Sequence, residues 1–138
     1  VRFRGKSKFD GEWVFGNYCY ATAGDEQMHY IIEVGIPGMT HPVIPETVGQ
    51  YTGLRDMNGV EAYEGDISED DQGRRWVIFR APGGFGVCRT TEYAKSCRLQ
   101  FYEELGGLQN NGHFMQCHRI IGNVFDKRDL LGGENARL

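Results

Sequence analysis

The sequence predicts a mostly-β fold with at most one or two short helices. The expected layout is an N-terminal hairpin region over residues 1–45, a small, twisted, SH3-like barrel half over 46–131, and a polar tail over 132–138. Three observations lead there. Glycines number 20 and stand among many aromatic and β-branched residues, the composition of short strands joined by tight turns. The dipeptides Asp10-Gly11 and Asn58-Gly59 are strong turn signals. Between such signals the apolar stretches are short and rich in Trp, Tyr, Phe, Val and Ile, as strands are. The whole length of 138 residues fits one domain. A chain of that size buries roughly 68% of the surface its unfolded form exposes, enough for a core without covalent staples.

Taken in order, Val1-Arg2-Phe3-Arg4 alternates apolar and basic residues, Asp10-Gly11 turns the chain, and Glu12-Trp13-Val14-Phe15 with Tyr18-Cys19-Tyr20 forms the return strand. Residues 21–27 are small and polar and predict a loop, and 28–34 predict a short buried strand. Pro37, Pro42 and Pro45, with Gly35 and Gly38, predict a loop or sheet edge, because proline lacks the donor a central strand needs. Asn58-Gly59 predicts a two-residue type I′ turn, and Glu64-Gly65-Asp66-Ile67 a bend that launches a strand. Trp76-Val77-Ile78-Phe79 and residues 85–88 predict strands around a turn at Pro82-Gly83-Gly84. Tyr93, Cys97, Phe101 and Leu105 recur at helical spacing, which predicts a short helix near 91–97, followed by a strand near 98–103. Residues 114–125 predict a strand broken at Gly122-Asn123.

The formal charge of −4 carries no general nucleic-acid footprint, although a local basic stripe stays open. No apolar run approaches the length of a membrane span, and no leader pattern is legible, so the expectation is a cytoplasmic protein without membrane contact. That compartment keeps thiols reduced, so Cys19, Cys88, Cys97 and Cys117 are expected to be free. The expected partner is a protein, a second copy of the chain included.

Most motifs with chemical meaning fail on inspection. Gly5-Lys6-Ser7 imitates the end of a phosphate-binding loop, but a hairpin follows it where that motif needs a helix. In Gly84-Phe85-Gly86 the third glycine of a dinucleotide fingerprint would fall on Arg89. Six acids crowd residues 61–71, yet a calcium-loop register from Asp66 puts Asp71 where glycine is required and Val77 where the bidentate glutamate belongs. The run reads better as a solvated hairpin tip. His113, Cys117 and His118 lack the paired cysteines of a zinc site. None of Ser7, Ser68 or Ser96 sits in a nucleophile elbow. No metal, cofactor or catalytic residue is therefore expected. Asp56, Glu64 and Asp66 could converge for acid–base or metal work, but Asp and Asn more often cap turns through their own backbone.

The stretch Tyr51-Thr52-Gly53-Leu54, Asp56, Asn58-Gly59 and Tyr63-Glu64-Gly65-Asp66-Ile67 resembles the central motif of the YopX-type phage proteins, Y-T-G-L-K-D-x-N-G-x-x-I-Y-E-G-D-I. Phe3-Arg4-Gly5-Lys6 with Gly11-Glu12-Trp13-Val14 and Gly16 is similar to that family's N-terminus. Ile120-Ile121-Gly122-Asn123-Val124-Phe125-Asp126 with Leu130-Leu131 is similar to its C-terminal V-I-G-N-I-Y-D-N-P-E-L-L. Ala62 departs from the larger apolar residue there, as do Lys127-Arg128-Asp129 from N-P-E and the acidic stretch after Ile67. The resemblance implies a β-rich fold and a phage or prophage origin, hence the bacterial cytoplasm. It implies no mechanism.

The functional expectation is an accessory binding module, with Tyr51, Asp56, Glu64 and Asp66 as candidate binding positions. The rival is a small metal-dependent or RNA-cleaving enzyme using the acids near Asp56, Glu64 and Asp66. Convergence of those carboxylates in a cleft favours the enzyme. Satisfaction by local backbone amides favours the scaffold.

Overall fold

The structure is a computed structural model that describes residues 2–35, 39–81, 84–95, 103–104 and 113–127. As the sequence predicts, it is mostly β, with two short helices among the described residues. Two compact units divide at Tyr51/Thr52.

In the first unit, β1 (Phe3–Lys6) pairs antiparallel with β2 (Trp13–Ala23), and β2 with β3 (Glu26–Ile32). Next comes β4 (Thr40–Pro42) on the outer side of β3, and β1 takes the start of β5 (Gly49–Arg55) on its other side. The end of β4 folds back onto β1. Ser7 bridges Val43, the Lys8 amide donates to the Pro42 carbonyl, and the Ile44 amide donates to the Lys6 carbonyl. A ring β1-β2-β3-β4 results around the fully buried Ile31 and Val43. The prolines behave as their chemistry requires: Pro42 lies in the short strand β4, and Pro45 opens a 3-10 turn, Pro45–Thr47. Pro37 lies outside the described residues.

One expectation is corrected here. Residues 21–27 are not a loop. β2 and β3 run on as a hairpin to Ala23 and Glu26, joined by the two-residue turn Gly24-Asp25. The arm is exposed on both faces over residues 20–27, so its side chains need not alternate in polarity, which is why it reads as a loop.

In the second unit β5 continues and pairs with β6 (Glu61–Tyr63). A separate antiparallel sheet has the order β10-β9-β8-β7-β11. Its strands are β7 (Asp66–Glu69), β8 (Arg75–Ala81), β9 (Gly84–Arg89), β10 (Glu103–Glu104) and β11 (Arg119–Asn123). Helix α1 (Thr90–Lys95) follows β9, and a helical turn α2 (His113–Gln116) precedes β11. Alternation along β8 sends Ile78 and Val77 to opposite faces, and each face has its own core. Ile78 packs with Ala62, Val87 and Met115, bordered by Leu54, Trp76, Phe85 and Ile120. Val77 packs with Ile67 and Val124, bordered by Tyr93, Ile121 and Phe125.

The expected strand over 114–125 is thus shorter, because its first residues make a helical turn that sends Met115 into the first of these cores. A register shift between Ile120 and Gly122 marks a bulge where the expected break falls near Gly122-Asn123. The expected helix near 91–97 appears as α1, and the strand expected near 98–103 lies largely outside the described residues. No helix among those described is long and apolar enough to cross a membrane.

Candidate functional site

Two hairpin loops of the second unit share one hydrogen-bond plan. In Asp56-Met57-Asn58-Gly59-Val60, the Asp56 amide donates to the Val60 carbonyl and the Gly59 amide to the Asp56 carbonyl. The amides of Asn58 and Val60 both donate to Asp56 Oδ1, at 2.8 and 2.9 Å. In Asp70-Asp71-Gln72-Gly73-Arg74, the Asp70 amide donates to the Arg74 carbonyl and the Gly73 amide to the Asp70 carbonyl. The amides of Gln72 and Arg74 donate to Asp70 Oδ1, at 3.0 and 2.8 Å. Each loop ends on a left-handed glycine, Gly59 at φ 82° and Gly73 at φ 77°. No described residue other than glycine has a positive φ, so Asn58-Gly59 is not the expected type I′ turn, which needs both central residues left-handed. It is a three-residue loop closed by a left-handed glycine.

The second carboxylate oxygens distinguish the loops. Asp56 Oδ2 accepts from the Ile120 amide at 2.8 Å and ties the first loop to β11. Asp70 Oδ2 accepts from Arg74 Nε at 2.7 Å and Trp76 Nε1 at 3.3 Å. Burial by itself would raise the Asp70 pKa. The amide and guanidinium of Arg74, the Trp76 indole and the Gln72 amide outweigh it and hold the group at about 2. Beside it, the Arg119 guanidinium keeps Glu69 below the usual carboxylate range, against burial and with help from Arg75.

The acidic run is therefore only partly a solvated tip. Asp66 and Asp70 are buried, and Glu69 is ion-paired, while Asp71 is exposed. A charged group is buried only where partners compensate its lost hydration. The basic pair Arg74-Arg75, directly after the run, supplies part of that compensation.

A cleft of about 430 Å³ lies between the loops, lined by Met57 from the first, Asp70, Asp71 and Gly73 from the second, and Glu69, Cys117 and Arg119. Behind it, Ser68 Oγ and His118 Nδ1 are hydrogen-bonded at 2.9 Å, and the Trp76 ring meets the imidazole edge-on. Ser68 is fully buried and His118 nearly so, out of reach of a substrate. Burial depresses the His118 pKa. Asp70 and Asp71 act against that shift, and Arg74 with it. Cys117 is exposed and free, as Cys19 is free, while Cys97 lies outside the described residues.

The four candidate positions do not form one cluster. Tyr51 lies in the first unit under the Arg2 guanidinium, 5.8 Å from its ring centre. Asp56 organises the first loop. Glu64 stands half-buried at the turn between β6 and β7. Asp66 Oδ2 accepts from the Tyr63 amide at 2.7 Å and braces that same turn. Asp56 binds the amide of Ile120, whereas Asp66 is opposite Asn123. Three residues of strand separate those points, roughly 10 Å. Among the described residues no three His, Cys, Asp or Glu are grouped to hold a metal. Sequence reasoning missed Asp70, although the shared spacing Asp-x-x-Gly in the two loops is legible as a signal.

These features define a class: a small two-unit β protein whose buried acids serve as acceptors for backbone turns. The chain belongs to the YopX family; its match to the family described as YopX protein runs over residues 2–132. Its fold is similar to that of the crystal structure of protein EF1440 from Enterococcus faecalis. That likeness has a TM-score of 0.51 and 22% sequence identity, and covers 95% of this chain and 98% of the other. A search of curated proteins finds no match.

Proposed function

We propose that the protein is a phage or prophage accessory protein that works in the bacterial cytoplasm by binding a protein partner rather than by catalysis. The observation that supports this best is the use of the family-motif acids. Both carboxylate oxygens of Asp56 accept backbone amides, of its own turn and of β11, and Oδ2 of Asp66 accepts the Tyr63 amide of its own turn. A catalytic or metal-binding carboxylate needs at least one oxygen aimed at the reacting site. The rival enzyme reading requires the acids to converge, and their attachments to β11 lie far apart for that. The expected result is that purified protein leaves labelled RNA intact in Mg²⁺ or Mn²⁺, and that tagged protein from a lysogenic host retains a stoichiometric protein partner after nuclease digestion. Metal-dependent RNA cleavage that follows the protein through every purification step, or loss of the partner on nuclease digestion, would overturn the reading.

A further inference from the structure

The cleft between the two loops of the second unit keeps an apolar side chain in the open. Met57 is 57% exposed, and the thiol of Cys117 is exposed in the same lining. Apolar groups left exposed in a concavity mark binding sites. The walls are preformed. Asp56 and Asp70 each gather two amides of their own loop, and the Met57 amide donates to the His118 carbonyl at 3.0 Å. A cleft fixed in this way loses little conformational freedom when it is filled. Its volume, about 430 Å³, takes a long side chain. None of Tyr51, Asp56, Glu64 and Asp66 lines it.

The charges of the lining are matched except at one place. Glu69 is held through one oxygen by Arg119 and through the other by Arg75 at 3.4 Å. Asp70 is buried and accepts from Arg74 and Trp76 besides its two amides. Asp71 is exposed, and its carboxylate is in no hydrogen bond or ion pair among the described residues. Arg119 is exposed as well, but an anion approaching it would compete with Glu69 and meet Asp71 in the same lining. The cleft therefore selects a positive charge over a negative one. Its apolar surface adds a second requirement, that the cation arrive on an aliphatic stem. Lysine and arginine have that build, an apolar stem with a charged head. The sulfurs of Met57 and Cys117 are polarisable and adapt to such a stem. Gly73, without a side chain, leaves the backbone of the second loop open to approach.

Taking the partner to be a protein, as proposed above and on which this rests, we infer that the cleft receives one lysine or arginine side chain of that partner. The stem lies against Met57 and Cys117, and the charged head pairs with Asp71. The carboxylate sets the sign of the ligand. An exposed ion pair is weak, so the apolar contact and the rest of the interface supply most of the affinity. Added salt screens the pair and weakens binding.

NMR titration with short peptides tests it. The probes are the acetylated, amidated tripeptide leucyl-arginyl-leucine and its lysine, citrulline and glutamate counterparts, citrulline keeping the shape of arginine without its charge. The expected result is saturable shifts at the amides of Met57, Asp71, Gly73 and Cys117 with the two basic peptides. The same peptides slow alkylation of Cys117 and leave that of Cys19, the internal control, unchanged. The citrulline and glutamate peptides bind about threefold more weakly or worse, and Asp71→Asn weakens the basic peptides to the level of citrulline. Met57→Ala weakens the basic and citrulline peptides alike. Both positions are exposed, so circular dichroism stays that of the natural chain. No saturable shift at these amides, equal affinity for the arginine and citrulline peptides, a preference for glutamate, or an unaffected Asp71→Asn would overturn the inference. So would shifts there that follow protein concentration alone, the sign of a second copy in the cleft. In capture from a lysogenic host, a partner held equally by Asp71→Asn and by protein alkylated at Cys117 would overturn this inference and leave the reading of a protein partner standing. RNA cleavage by the purified protein would overturn that reading whatever the peptides do.

Discussion

Gly16→Ala is expected to be a strongly disruptive small substitution. A Cβ at Gly16 would stand 2.1 Å from the Ile32 carbonyl oxygen, 2.8 Å from its carbon and 3.0 Å from Glu33 Cα. All three are backbone atoms, so no side-chain rotation relieves the clash. β2 and β3 would have to separate where their pairing ends at Asn17↔Ile32, beside the ring around Ile31 and Val43. Overpacking typically costs 1–3 kcal/mol and more where backbone must move, so about 3 kcal/mol or more is expected from denaturant midpoints. Gly84→Ala is the control: nothing lies within 4 Å of its Cβ position and its φ is ordinary, so a change of about 0.5 kcal/mol or less is expected. Equal midpoints for the two variants would mean that β3 does not approach β2 as described.

Asp70→Ala is expected to come next, at about 2–4 kcal/mol, since four donors lose one buried acceptor. The same carboxylate makes the protein acid-sensitive. Its folded pKa of about 2 lies below the ordinary 3.8, so its contribution is complete above the ordinary value and is lost as pH falls from about 4 towards 2. That shift corresponds to about 2 kcal/mol. His118 adds an earlier loss. Its lowered pKa means that the folded state favours the neutral imidazole, so stability declines once pH falls below 6.5. Unfolding free energies measured from pH 7 to pH 3 should fall in two stages, and Asp70→Ala should flatten the lower stage. An unchanged lower stage in the variant would contradict the assignment.

Much of this was legible in the sequence, and the misses have specific causes. Turn chemistry placed β1, β2, β7, β8 and β9, because Gly, Asp and Asn between β-branched and aromatic runs leave few alternatives. The arm of residues 20–27 was not legible as strand, since exposure on both faces removes the alternation that strand recognition uses, and only Gly24-Asp25 signalled a hairpin. His113–Gln116 is too short for helical period to appear. The loop type at Asn58-Gly59 depended on Asp56, whose carboxylate gathers two amides and makes a longer loop favourable. Asp70 looked like one acid in a solvated run because its burial depends on Trp76 and Arg74, partners that only the fold brings to the same oxygen.

The claim that the motif's acids hold turns rather than perform chemistry is tested most directly by the unfolding free energy of Asp66→Ala. Asp66 is 2% exposed and accepts the Tyr63 amide at 2.7 Å across the turn that launches β7. Its removal leaves a buried amide without that acceptor, and a loss of about 1 kcal/mol or more is expected in urea melts at neutral pH. Carboxylates kept for function are often held at some expense of stability, so their removal tends to be neutral or stabilising. An Asp66→Ala protein as stable as the natural chain, or more so, would contradict the scaffold account and favour a functional acid at that position.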